Sequence, residues 1–181
     1  MSTATVFNVA TKQVTQEFEE IFREHYLLVY RTAFSVTGNP QDAEDVLQNI
    51  FLWVLRRGMP PGLKDTKAYL YRAAVNASLN VVRSRRRNIS INDDVENLER
   101  VGIHLAPAGG READIQSRLV EAMGQLHPRS VEMLILRYEH NYSDAEIGKL
   151  LGTSRGVVAV ALHRARSRLR KLLRWSIGEK P

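Results

Sequence analysis

The chain has no cysteine in its 181 residues, which excludes disulfides and any thiolate metal site. Histidine is sparse: His25, His104, His127, His140 and His163 are scattered, with no pair at a ligand-like spacing. No metal and no cofactor are therefore expected. No apolar run approaches the roughly 20 residues of a membrane span. The N-terminus is polar and lacks the basic-then-apolar start of a secretion signal. The expectation is a cytoplasmic protein with no direct membrane insertion. Strand-like alternation and internal repeats are missing too. So are a nucleophile paired with a base and a glycine loop that could cradle phosphate. The tight carboxylate groups, Asp42/Glu44/Asp45 and Asp93/Asp94, are explained by helix-start electrostatics and a solvated linker. The chain reads as a non-enzyme without a small-molecule substrate.

What is present is helical pattern and uneven charge. Hydrophobic residues make up 44% and charged residues 25%, the balance of a soluble globular chain able to bury a core. The net charge of +6 hides an alternation: residues 1–50 carry −4, 51–92 carry +8, 93–142 carry −4 and 143–181 carry +6. Two basic blocks suit a polyanion such as nucleic acid, and two acidic blocks must face elsewhere.

The most specific local pattern is YSDAEIGKLLGTSRGVVAVALHRARSRLRKLLR, residues 142–174. Ser143 with Glu146 three residues on is a capping box. Ala145, Ile147, Leu150 and Leu151 form an apolar face, and Gly152 stands where a helix ends in a left-handed residue. Thr153 or Ser154 caps a second helix. That helix has Val157, Val158, Ala161, Leu162, Ala165, Leu169 and Leu172 on one side and mostly arginine on the other. A short helix, a glycine turn and a longer basic helix predict a helix-turn-helix whose second helix can enter a DNA major groove. An ordinary helical hairpin with a solvated basic face is the competing reading.

Upstream, residues 1–14 read as a loose tail. An amphipathic helix follows over 15–36, with Phe18, Ile21, Phe22, Leu28, Val29, Ala33 and Phe34 on its apolar side. Asn39 and Pro40 begin a second helix, with Val46, Leu47, Ile50, Phe51, Val54 and Leu55 as its stripe, ended by Gly58 and Pro60-Pro61-Gly62. Asp65 or Thr66 caps a third helix to about Arg87. Tyr69, Tyr71, Arg72, Asn76, Asn80, Arg83 and Arg85 to Arg87 offer it groups that stack on bases, bond to their edges and neutralise phosphates. Residues 89–111 hold acidic side chains and Ala106-Pro107-Ala108-Gly109-Gly110, and read as a linker. Two further helices, 112–126 and 129–139, precede the helix-turn-helix. The expected fold is all-α: two small helical domains, 15–88 and 112–175, joined by a flexible linker at 89–111, the C-terminal one containing the helix-turn-helix.

Two stretches carry a family resemblance. FEEIFREHYLLVYRTAFSVTGNPQDAEDVLQNIFLWVLRR (18–57), continued by KAYLYRAAVNASLNVVRSRRR (67–87), resembles region 2 of the extracytoplasmic-function (ECF) sigma factors of bacterial RNA polymerase. AMGQLHPRSVEMLILRYEHNYSDAEIGKLLGTSRGVVAVALHRARSRLRKLL (122–173) resembles their region 4. The resemblance implies core polymerase, promoter DNA and an anti-sigma factor as partners. It implies polymerase contacts at Asp42, Glu44, Asp45, Gln48 and Asn49, and minus-ten recognition and melting by Lys64, Lys67, Tyr71, Arg72, Asn76, Asn80, Arg83 and Arg86. Minus-thirty-five recognition falls to Ser154, Arg155, Val158, His163, Arg164 and Arg168. Three departures bear on promoter identity: Val157-Val158-Ala159-Val160-Ala161 replaces a frequent polar run, Asn49 a usual glutamate, and Val75 a frequent arginine. The apolar run shifts base reading toward thymine methyls or DNA shape. The alternative is a stand-alone helix-turn-helix transcriptional regulator, against which the N-terminal half shows no strand-helix receiver pattern.

Overall fold

The computed structural model describes the backbone of residues 3–92 and 111–176 and the side chains of residues 16–88 and 114–174. Within these, the chain forms α1 (Thr3–Thr37), α2 (Pro40–Arg57), α3 (Thr66–Asn92), α4 (Arg111–Gly124), α5 (Pro128–Tyr138), α6 (Asp144–Leu151) and α7 (Arg155–Ser176). The described residues include no strand. The expected linker lies mostly at 93–110, outside the described residues.

The punctuation is set by local chemistry. Asn39 caps α2 by accepting from the Asp42 amide at 3.1 Å, with Pro40 in the first turn, where its missing N–H costs nothing. Asp65 caps α3 by accepting from the Ala68 amide at 2.8 Å. The capping box forms: Ser143 accepts from the Glu146 amide, and Glu146 accepts from the Ser143 amide at 2.8 Å. The Ser143 hydroxyl also donates to the Glu146 carboxylate at 2.6 Å, and this bond, with that from the Ser143 amide, holds the carboxyl below its usual range. Gly152 ends α6 in the left-handed conformation, φ 66°, and Ser154 caps α7 through the Val157 amide at 3.3 Å. At α5 the cap is His127, whose Nδ1 accepts from the Arg129 amide; the sequence reading attached no role to it.

Three expectations are corrected. The helix begins at Thr3, not near residue 15, because residues 3–14 contain no proline or glycine to stop it. Phe22, Phe34 and Leu55, placed on apolar sides by their spacing, are exposed. Ala145 is exposed as well.

Helices α1, α2 and α3 enclose one core built on Val29, Ala33, Val46, Ile50, Phe51, Val54, Leu70 and Ala74. A second core joins α4 to α7 through Met123, Leu126, Val131, Leu134, Leu136, Ile147, Leu151, Val158, Leu162 and Ala165. It also takes in Val36 of α1 and Tyr71, Val75, Leu79 and Val82 of α3. The N-terminal helices are thus packed against the C-terminal ones, and α3 is buried on two sides.

Candidate nucleic-acid interface

In the helix-turn-helix, α6 approaches the turn so closely that a Cβ on Gly148 would stand 2.8 Å from the Thr153 carbonyl oxygen. The Thr153 amide donates to Gly148 O at 2.8 Å. Arg129 ties α5 to the same place through Leu151 O and holds the buried Glu132 carboxylate at 3.0 Å. With the turn so fixed, Val158, Leu162 and Ala165 point into the core. Ser154, Arg155, His163, Arg164 and Arg168 are exposed and are distributed around α7 outside its buried stripe. Val158 does not join them. It is fully buried, and the exposed apolar side chains are Val157 (54%) and Val160 (49%). Periodicity places Val158 on the apolar side, as found; it is the family resemblance that assigns it to DNA, and periodicity errs instead at the exposed Val157. Arg166, exposed and bonded to Tyr138 Oη and Leu162 O, extends the basic surface.

On α3 the expected minus-ten residues separate. Asn76, Asn80 and Arg86 are exposed, as are Lys64 and Lys67 before and at the helix start, while Arg72 is half-buried. Tyr71 is not available at all: its exposure is 0%, and its hydroxyl donates to Glu132 O at 2.5 Å. Burial pushes its phenol well above the ordinary range, so it stays neutral. Its ring meets the His140 ring edge-on, centroids 5.9 Å apart. Arg83 donates from Nε to Gly124 O and from Nη2 to Leu126 O, both at 3.0 Å, satisfying carbonyls at the end of α4. Lys67 Nζ lies 5.3 Å from the centre of the Tyr142 ring. Tyr69 of α3 pairs with Trp53 of α2, which the sequence reading left without a role, their ring centroids 6.2 Å apart.

The acidic face of α2 is intact. Glu44, Asp45, Gln48 and Asn49 are exposed, and at helical spacing the row continues into exposed Leu52 and Trp53. Asp42 departs from it. Its carboxylate is 17% exposed and ion-paired with Arg85. Burial raises its pKa, opposed by the arginine, so this side chain links α2 to α3. Among the described residues no cluster of three or more His, Asp or Glu could hold a metal ion, and no helix is long and apolar enough to cross a membrane.

Comparisons with known proteins match both helical stretches. A family model described as Sigma-70 region 2 matches residues 21–88, and one described as Sigma-70, region 4 matches residues 116–169. The chain is 32% identical to the ECF RNA polymerase sigma factor SigE of Mycolicibacterium smegmatis, covering 93% of this chain and 66% of that protein. It is 31% identical to the RNA polymerase sigma-E factor of Streptomyces antibioticus, covering 87% and 84%. Among solved structures, the sigma factor RpoE of Bartonella quintana, in complex with the anti-sigma factor NepR, matches with a TM-score of 0.52 and 25% identity over 88% of this chain and 98% of that one.

Proposed function

The chain belongs to the ECF sigma factors of bacterial RNA polymerase, and from that premise we propose how its surfaces divide the work of starting transcription. Residues 15–88 form the module that binds core polymerase and reads and melts the minus-ten element; residues 112–175 read the minus-thirty-five element as duplex, with 89–111 between them. The exposed row Glu44, Asp45, Gln48, Asn49, Leu52 and Trp53 docks on polymerase: an acidic face is a poor DNA surface, and a tryptophan beside it is a typical interface anchor. Asn76, Asn80, Arg86 and the loop before α3, with Trp53 and Tyr69 alongside, engage the opened strand. Unstacked bases need aromatic faces and cationic groups. Arg155, His163, Arg164 and Arg168 grip the duplex, and Val157 and Val160 offer apolar contact to thymine methyls.

The single observation that carries this reading is the exposed, basic outer side of α7 behind a rigid glycine turn. The protein acts by binding, without a catalytic site, in the cytoplasm, where its polymerase works. A partner of the kind that holds the Bartonella relative, an anti-sigma factor, restrains it. The test is a split between two assays. Arg164→Ala weakens minus-thirty-five duplex binding, and Asn80→Ala spares it while impairing open-complex formation. Equal effects of both variants in both assays refute the division of labour.

A further inference from the structure

We propose that the seam between α3 and α4 holds a nucleotide: a hollow of about 270 Å³ there carries the charge, the polar groups and the apolar floor that a nucleoside diphosphate requires. The site belongs to the chain by itself and is independent of how α3 reads a promoter. From α3 the walls are Val82, Arg83, Arg86 and Arg87, whose spacing puts them on one helix face. From α4 they are Glu121 and Gly124, with Gln125 just beyond. A Cβ on Gly124 would stand 2.9 Å from Val82 Cγ1. The missing side chain thus lets the two helices meet at a floor of valine methyl and bare backbone.

Three guanidiniums and one carboxylate leave the hollow with a formal charge of +2, which favours an anion. Arg83 is held by Gly124 O and Leu126 O, both at 3.0 Å, so its plane is fixed and offers a face on which an aromatic ring stacks. Arg86 and Arg87 stand exposed on the rim. Neither takes part in an ion pair among the described residues, whereas their neighbour Arg85 is taken by Asp42. Their forks match phosphate oxygens. Glu121 makes the site selective. A carboxylate repels a bare inorganic anion but accepts from hydroxyls, so it suits a ligand that joins phosphate to a ribose diol. Gln125 adds an amide that both donates and accepts at a base edge. Ligand clefts run from about 300 Å³ upward, so this one suits a single nucleoside, its phosphates at the open rim, rather than a larger cofactor.

Isothermal titration of the whole chain with ADP tests this, beside adenosine and pyrophosphate as the two parts of the ligand. ADP is expected to saturate the site, with each part at least about tenfold weaker, because neither meets both the arginines and the Glu121 wall. Arg87→Ala weakens ADP by about tenfold, the loss of a charge-assisted bond. Glu121→Ala weakens ADP severalfold and strengthens pyrophosphate, which no longer faces a carboxylate. Both side chains are exposed, so neither replacement removes a core contact, and circular dichroism checks that each variant is folded. Arg170→Ala, which alters an exposed arginine of α7 outside the hollow, leaves ADP binding unchanged. Absence of saturable ADP binding overturns the proposal. So does pyrophosphate binding as tightly as ADP, an equal loss in Arg87→Ala and Arg170→Ala, or a Glu121→Ala variant that strengthens both ligands. Each of these marks no more than a general attraction of anions to a basic chain.

Discussion

Gly148→Ala is the sharpest probe of the helix-turn-helix. In an open helix interior the substitution stabilises by about 1 kcal/mol, through helix propensity. Here the new methyl would stand 2.8 Å from Thr153 O, 3.3 Å from the Arg155 amide nitrogen and 3.4 Å from the Ser154 carbonyl carbon. All three are backbone atoms, so the turn must move. Overpacking of this kind costs about 1–3 kcal/mol, which outweighs or cancels the propensity gain and leaves a net loss of up to about 2 kcal/mol. At about 2–4 °C per kcal/mol for a chain of this size, Tm falls by up to about 8 °C. Because Ser154 and Arg155 sit on the displaced turn, affinity for the minus-thirty-five duplex falls while polymerase binding through α2 persists. Thermal melting and duplex titration read the two effects. A higher Tm with unchanged duplex affinity refutes the close approach and the placement of α7 that depends on it.

Other predictions follow from the same geometry. Val158→Ala removes buried methyls and lowers stability by about 1–2 kcal/mol; Val160→Ala leaves melting within about 0.5 kcal/mol but relaxes preference for thymine-containing sites, as binding to methylated and unmethylated bases measures. Duplex binding falls linearly with the logarithm of salt concentration, losing about 0.9 of slope for each phosphate contact removed with Arg164 or Arg168; a flat salt response contradicts it. Stability is also pH-dependent through His140. Burial lowers its pKa, with Arg31 and Lys67 acting in the same direction against Glu139, so the folded protein favours the neutral ring. The full contribution is present above the ordinary histidine value near 6.5 and is lost as pH falls below it toward the lowered value. His140→Gln flattens that part of the stability profile, measured by denaturant titration across pH 5 to 8.

The sequence was most informative where a few adjacent residues decide the outcome. Asn39-Pro40, Ser143 with Glu146, and Gly152 fix helix ends through their own hydrogen bonds or backbone conformation. The resemblance supplied the polymerase row on α2, of which Glu44, Asp45, Gln48 and Asn49 are exposed together. What periodicity could not deliver was the partner of each face. Leu70 and Ala74 turn toward α1 and α2, while Tyr71, Val75, Leu79 and Val82 turn toward the C-terminal helices. The signal was available as two adjacent apolar stripes on one helix, more than a single-sided helix needs. Tyr71 and Arg83 instead drew attention for their chemistry toward bases, and their engagement by backbone carbonyls 41 to 61 residues away is a tertiary fact that no local window contains. Val158 drew its DNA role from the resemblance although its apolar periodicity pointed inward, and Val157 was read as core because a run of small apolar residues carries little phase.

The measurement that bears most directly on the whole account is reconstituted run-off transcription with sigma-free core polymerase and a pool of upstream fragments from the host genome. The account predicts discrete transcripts from a small set of fragments, appearing only when this polypeptide is added and abolished by charge reversal at Glu44 and Asp45. Transcription equal in its presence and absence, across the entire pool, would contradict it.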